Sequence, residues 1–477
     1  MRVITNGHEC EDAVRQIIQL FFNINDDITA FSAFESCSGG FCTKAAVVLQ
    51  DGRKGTGEYS VNTAASKRGV SDAVKKSVFS ACRQLSDIPA PWGISTGIRP
   101  AKTARQMIDD GFGDSEILEY MKNELWISDK KARLALEVAK NEEKLLSDKL
   151  PRSVSLYIGI PFCPTRCAYC SFVSQAIGFN KKFIRPYAEA LGREIKKCGE
   201  LVKKLNLTVE TLYLGGGTPT SVSPDVLDGI LQTAAREFDL SALREFTVEA
   251  GRPDTFSEEM LDVLEKNGVD RISINPQTMH DKTLELIGRK HTEADTVRAF
   301  DMARRRSAFS INADLIAGLP GETAADFRES LNRVIELCPD AVTVHTMYLK
   351  RAARLIDEFE RYRFTNVTAE MTDYASEALH AAGFSPYYMY KQKYTLGNLE
   401  NVGYAKQGHE SLYNIYIMEE VQSIFAMGGG ASSKIVMGDR IERIFNPKEA
   451  ADYTRRIDEI IEKKNIIEDY LRSYRKR

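Results

Sequence analysis

Tyr157-Ile-Gly-Ile-Pro-Phe-Cys-Pro-Thr-Arg-Cys-Ala-Tyr-Cys170 runs from a short apolar stretch straight into three cysteines, Cys163, Cys167 and Cys170, at a C-x3-C-x2-C spacing. The apolar stretch, Leu156 to Ile160, has the length and composition of a buried strand, so the cysteine loop begins where a strand ends. Three thiolates on one short loop can converge on an iron–sulfur cubane, and no fourth ligand stands nearby in the sequence. One iron is then left open to a small molecule. Thiolates also suit zinc, so on these residues alone zinc or an incidental spacing stays open.

Outward from that loop the chain repeats one rhythm. Short apolar runs at Leu156 to Ile160, Thr211 to Leu214, Glu245 to Val248, Arg271 to Ile274, Ser310 to Ile316 and Ala341 to His345 alternate with amphipathic stretches such as Phe183 to Lys204, Pro224 to Phe238 and Ser257 to Asn267. Strand followed by helix, six times over, predicts an α/β fold with a parallel sheet curled into a partial (β/α)6 barrel. The active site of such a barrel lies at the C-terminal ends of its strands. The cysteine loop follows the first strand, and further distinctive residues follow the second to the fifth.

The flanks differ. Residues 1–100 mix short strands, for example Lys44 to Gln50, with amphipathic helices at Cys10 to Phe22 and Val70 to Leu85, which predicts an N-terminal α+β domain. Residues 101–152 read as a helical connector, residues 153–355 as the barrel, and residues 356–477 as a small C-terminal domain opening on a helix from Met371 to Gly383. No internal repeat or low-complexity tract is present.

Bulk composition excludes several function classes. Lys and Arg total 64 against 67 acidic residues, a net charge of −3, which gives no global electrostatic reason to bind nucleic acid. No apolar run approaches the roughly 20 residues of a membrane span, and the N-terminus lacks the layout of a signal peptide. Nine cysteines, an odd number with a tight central triplet, fit reduced thiols and a cytoplasmic location. Cys37 and Cys42 form a second close pair beside Gly39, readable as a metal site or as a loop of small residues. Cys10, Cys82, Cys198 and Cys338 read as isolated, buried hydrophobes.

The triplet with Tyr169 before its last cysteine resembles the radical S-adenosylmethionine (SAM) enzymes. In that superfamily three cysteines hold a [4Fe-4S] cluster, SAM chelates the fourth iron, and one-electron cleavage yields methionine and a 5′-deoxyadenosyl radical. Leu214-Gly-Gly-Gly-Thr-Pro-Thr220 matches the family's glycine turn, in which Gly215, Gly216, Gly217 and Thr218 present backbone groups to SAM. Tyr157, Glu249, Gln277, Arg289 and Asp314 resemble the coproporphyrinogen dehydrogenase branch. The resemblance puts Tyr157 in a catalytic place beside cluster and SAM, and has Arg289 meet the SAM carboxylate while Glu249, Gln277 and Asp314 take its amine and ribose. Tyr169 and Phe172 join the cofactor contacts. Asn401 to Glu410, Tyr413-Asn414 and Ala426 to Ser433 resemble the HemZ subgroup of that branch.

The implied reaction is oxidative decarboxylation of coproporphyrinogen III to protoporphyrinogen IX in haem biosynthesis, with an electron donor such as flavodoxin or ferredoxin. Lys350, Arg351 and Arg354 after the sixth strand are candidates for binding substrate carboxylates. Phe172 instead matches the related haem-chaperone branch. A haem-binding chaperone, with His280, His345, His409 or Met389 as axial ligands, therefore stays open, as does another radical reaction on a tetrapyrrole.

Overall fold

The computed structural model describes all residues except 24–25, 38–39, 62–65, 171–174, 349–366, 393–394 and 476–477. Two compact units emerge among the described residues: one from Met1–Ala139 with 367–370 and Tyr390–Glu400, the other from 140–348, Met371–Met389 and Asn401–Arg477.

In the first unit, β1 (Arg2–Asn6), β2 (Ile28–Cys37), β3 (Gly40–Leu49) and β4 (Lys54–Val61) form a sheet in that order, with β1 parallel to β2 and the rest antiparallel. The helix Lys67–Arg83 covers one face, entered through a Ser66 side chain that caps Gly69 N. Thr43 of β3 donates to Ala73 O of that helix at 2.9 Å. Glu400 belongs here because its carboxylate accepts from Trp92 Nε1 at 2.7 Å and Lys131 Nζ at 2.6 Å, both buried. A buried carboxylate needs its partners, whatever their distance in sequence.

The second unit is built on one eleven-stranded sheet. Its strands are β5 (Ser153–Ile160), β8 (Thr208–Gly216), β9 (Glu245–Val248), β10 (Arg271–Ser273), β11 (Ser310–Ala317), β12 (Ala341–Thr346), β13 (Ser385–Lys391), β14 (Glu400–Ala405), β15 (Ser423–Gly428), β16 (Ser432–Met437) and β17 (Arg440–Phe445). The small β6 (Phe162–Cys163) and β7 (Gln175–Ala176) pair beside it. All six expected strands are present and consecutive neighbours are parallel, in the order β5, β8, β9, β10, β11, β12. The strands are almost wholly buried, as a parallel sheet covered by helices requires.

The six strands do not close on themselves. At one edge β14 runs antiparallel to β12, and at the other β15 runs parallel to β5. The C-terminal region, expected as a separate domain, thus supplies strands to both edges of the sheet. The reason lies in β15: Ser-Ile-Phe-Ala-Met-Gly is buried throughout, and such a strand is stable only against another buried strand edge.

A polar network fastens this edge. Lys464 Nζ lies 3.0 Å from Glu194 Oε1, donates to Ala426 O at 2.6 Å and reaches Ser433 Oγ at 3.2 Å. Glu194, on the helix Ile177–Lys204, also accepts from Gly428 N, Asn446 Nδ2 and Tyr453 OH. The Ala426 to Ser433 run therefore acts as a joint next to the first barrel strand.

The thiols divide by environment. Cys82 and Cys198 are buried, and burial pushes the Cys198 thiol up to about 12. Cys10 is half-buried and Cys338 is exposed, contrary to expectation.

Candidate functional site

The cysteine loop leaves β5 through Pro161 and is pinned at both ends. Gln175 N donates to Pro161 O at 2.8 Å, Ala168 N to Ile287 O at 3.0 Å, and Thr165 Oγ1 to Gly288 O at 3.0 Å. A tight turn with Cys170 N on Cys167 O at 3.2 Å brings the last two cysteines around. All three thiols are half-buried. Cys163 Sγ lies 3.4 Å from Thr218 Oγ1, so the first cysteine meets the glycine turn. Phe172 lies outside the described residues.

The glycine turn does more than line a site. Gly217 N donates to Ile160 O at 2.8 Å and Thr218 N to Phe162 O at 2.7 Å, so two of its amides tie the second strand to the start of the cysteine loop. At Gly217 a Cβ would collide with the Phe162 carbonyl, and Gly216 has φ +112. At Gly215 a Cβ would stand 2.9 Å from Glu249 Oε2, so its absence leaves space for that carboxylate.

Strand register explains which side chains meet. Tyr157 pairs with Tyr213 and Gly159 with Gly215, which sets both tyrosines side by side on one face. Tyr413 joins them: ring centroids are 4.4 Å apart for Tyr213 and Tyr413, and 6.2 Å for Tyr157 and Tyr213. The Tyr213 hydroxyl donates to Glu249 Oε1 at 2.6 Å. Desolvation pushes the Glu249 carboxyl up to about 7, against the hydrogen bond from Tyr213 and with added repulsion from Asp314.

Asp314 behaves oppositely. Desolvation raises its carboxyl, but His345 Nε2 at 3.5 Å and Asn312 Nδ2 at 2.7 Å outweigh it and hold the group below the usual carboxylate range. Two neighbouring carboxylates are thus poised differently, one ready to hold a proton and one to stay charged. Gln277, with φ +71, donates its N–H to Asp314 O at 2.9 Å and accepts from Ile316 N at 3.0 Å. A non-glycine residue held in this conformation marks a position that the surrounding structure over-determines.

Arg289 is buried behind the cysteine loop. Nη1 donates to Asn275 O at 2.5 Å and Gly251 O at 3.4 Å, while Nε has no protein partner; Asn275 Oδ1 is likewise unpaired and buried. The guanidinium also interacts with Tyr169 and Cys167. His291, buried beside Arg289 and Arg252, is pushed down to about 4, first by burial and then by the two guanidinium charges. Soft thiols, a cradle that only glycine permits and unsatisfied buried polar atoms fit a thiolate-held cluster with a polar ligand next to it.

Sequence reasoning missed Arg252 and Tyr213, and gave Tyr413 only as part of the family resemblance, without a place in the site. Only the offset of Arg252, three residues past Glu249 and two before an aspartate, signalled a fork in the same strand-end loop. The other candidates do not converge. His345 meets Asp314, His409 Nδ1 faces Ser310 Oγ at 3.0 Å, His280 Nε2 faces Asp326 O at 2.9 Å, and Met389 is buried in β13. Lys350, Arg351 and Arg354 lie outside the described residues. Cys37 is exposed and Cys42 buried, and among the described residues no three His, Cys, Asp or Glu side chains gather as a single metal ion requires.

Residues 157–334 match the Radical SAM superfamily. The oxygen-independent coproporphyrinogen-III oxidase-like protein HemZ of Bacillus subtilis is 41% identical over 384 residues, covering 79% of this chain and 77% of that protein. The heme chaperone HemW of the same bacterium is 32% identical over 291 residues, covering 59% and 71%. Among solved structures, coproporphyrinogen III oxidase (HemN) of Escherichia coli, a radical SAM enzyme, matches with a TM-score of 0.52 at 23% identity over 66% of this chain and 71% of that one. That likeness shows the fold.

Proposed function

Given that the chain belongs to the radical SAM superfamily and, within it, to the oxygen-independent coproporphyrinogen-III oxidase-like HemZ group, we propose that it decarboxylates coproporphyrinogen III oxidatively to protoporphyrinogen IX. The cofactors of the superfamily are a [4Fe-4S] cluster and SAM. In this reading Cys163, Cys167 and Cys170 hold the cluster. When bound, cluster and SAM supply one-electron cleavage of SAM and, through it, hydrogen abstraction from a propionate of the substrate. An external acceptor takes the electron left when carbon dioxide departs.

The chain's own residues bind and orient. Arg289 holds a SAM carboxylate, Glu249 its amine, and Asp314 and Gln277 its ribose, with Gly215 to Thr218 shaping the cradle. The tyrosine stack walls the barrel interior beside Glu249 and excludes water from it, which favours a radical reaction over side reactions. A reduced flavodoxin or ferredoxin is the proposed electron donor, and the cytoplasm the proposed location; among the described residues no helix is long and apolar enough to cross a membrane.

The observation that carries this reading is the 41% identity across 384 residues, which extends well past the cysteine loop. The test is anaerobic: reconstituted protein, SAM, a reductant and coproporphyrinogen III, with products followed by mass. Stoichiometric 5′-deoxyadenosine with vinyl products is expected. Tight haem binding without turnover of coproporphyrinogen III sinks the proposal and favours a haem chaperone, the reading that the HemW relative and Phe172 support.

A further inference from the structure

Arg252 is buried, at 2% exposure, in the loop that follows β9. One edge of its guanidinium forks Asp254: Nε to Oδ1 and Nη2 to Oδ2, each at 2.9 Å. The remaining nitrogen, Nη1, donates to Thr165 Oγ1 at 3.0 Å and points at Cys167 Sγ at 3.8 Å. The backbone is fixed as well, since Arg252 N donates to Ala250 O at 2.5 Å and Thr255 Oγ1 donates to Arg252 O at 2.8 Å.

We propose that Arg252 is a positioning residue for the cluster, a charge-assisted donor to the Cys167 sulfur that raises the cluster's reduction potential. The planar fork of the guanidinium on Asp254 leaves one N–H edge with a single direction to face. A hydrogen bond to a ligating sulfur draws electron density away from the iron and favours the reduced cluster. Thr165 shares the donor and lies between Cys163 and Cys167 in the loop, so the same contact also sets the loop's conformation. Because the loop carries Glu249 three residues earlier, it couples the cysteine side of the site to the carboxylate side.

The inference rests on Cys167 being a cluster ligand, and the experiment keeps the two apart. The full chain, its Arg252→Gln, Arg252→Lys and Cys167→Ala variants are reconstituted anaerobically with iron and sulfide. Iron content, the midpoint potential from an electron paramagnetic resonance titration, and thiolate covalency from sulfur K-edge absorption are measured. Arg252→Gln is expected to shift the potential negative and to raise covalency at wild-type iron content, and Arg252→Lys, which keeps the charge without the fork, to raise covalency with a smaller shift. Wild-type potential and covalency in the glutamine variant overturn the proposal. Should that variant take up no iron, the lysine variant decides: raised covalency supports the proposal and unchanged covalency overturns it. A full cluster in Cys167→Ala overturns the ligand assignment itself, whereas a lost cluster there with unaltered Arg252→Gln overturns the role of Arg252 alone.

Discussion

The Tyr213 hydroxyl donates to Glu249 Oε1 at 2.6 Å from within a stack of three tyrosines. The aromatic faces strip water from the carboxylate, and the hydrogen bonds from Tyr213 and the Gly216 backbone do not offset that loss, which is why its pKa rises to about 7. The folded chain therefore holds this proton at pH values where the unfolded chain has released it.

Stability follows with a definite sign. Between the ordinary carboxyl value near 4.5 and about 7, folding takes up a proton at Glu249, so its contribution is full below that window, falls as pH rises through it, and is level above. The loss is on the order of 2 kcal/mol once residual solvent at the barrel mouth is allowed for. Glu249→Gln cannot titrate. Denaturant unfolding of both proteins from pH 4.5 to 8 is expected to show the variant gaining on the parent as pH rises, and parallel profiles would falsify the assignment.

Lys464 and Glu194 give the largest stability prediction. Both side chains are withdrawn from water, at 1% and 0% exposure, and neither charge has a route to solvent. Lys464→Met leaves Glu194 buried with only neutral donors, at a cost of roughly 3–5 kcal/mol, whereas removing both charges in Lys464→Met/Glu194→Gln costs clearly less. Denaturant titrations of the parent and the two variants measure this. Equal losses in both would mean that packing, not the unpaired charge, sets the cost.

Two glycines separate close approach from helix propensity. Gly217→Ala drives a methyl group into the Phe162 backbone, with the carbonyl carbon only 2.8 Å away, and is expected to destabilise the fold by about 2 kcal/mol or more and to weaken cluster uptake. Gly229→Ala, within the helix Pro224–Glu237 and with nothing within 4 Å, is expected to add about 0.5–1 kcal/mol instead. Thermal melts and iron content after reconstitution read both. A neutral Gly217→Ala would remove the glycine turn's structural role.

Much of this was legible before any coordinate. The six barrel strands and the helices behind them follow from hydrophobic runs of the right length, and Cys163, Thr218 and Glu249 fall at or just past strand ends, while Asp314 lies within β11. Other features depend on contacts without a local signal. β15 reads as an ordinary apolar run until β5 is seen to need a neighbour, and Glu400 looks like a surface acid until Trp92 and Lys131 close on it. Arg252 was hidden for the same reason, since only the folded loop shows which sulfur its free edge meets.

His345 offers the last test, because it holds Asp314 in its charged form from 3.5 Å. Removing it leaves desolvation less opposed, so the Asp314 carboxyl moves upward and loses its charge at a higher pH. If Asp314 accepts from the SAM ribose, His345→Phe weakens SAM binding by roughly fivefold, about 1 kcal/mol. Equilibrium dialysis with labelled SAM measures this, and unchanged affinity counts against the pairing. The same variant bears on the two functional readings. A chaperone using His345 as an axial ligand loses haem binding outright in His345→Phe, at every pH, whereas a dehydrogenase loses SAM affinity and with it the rate at subsaturating SAM. A variant that still binds haem fully but needs more SAM to turn over therefore assigns His345 to the cofactor side of the barrel.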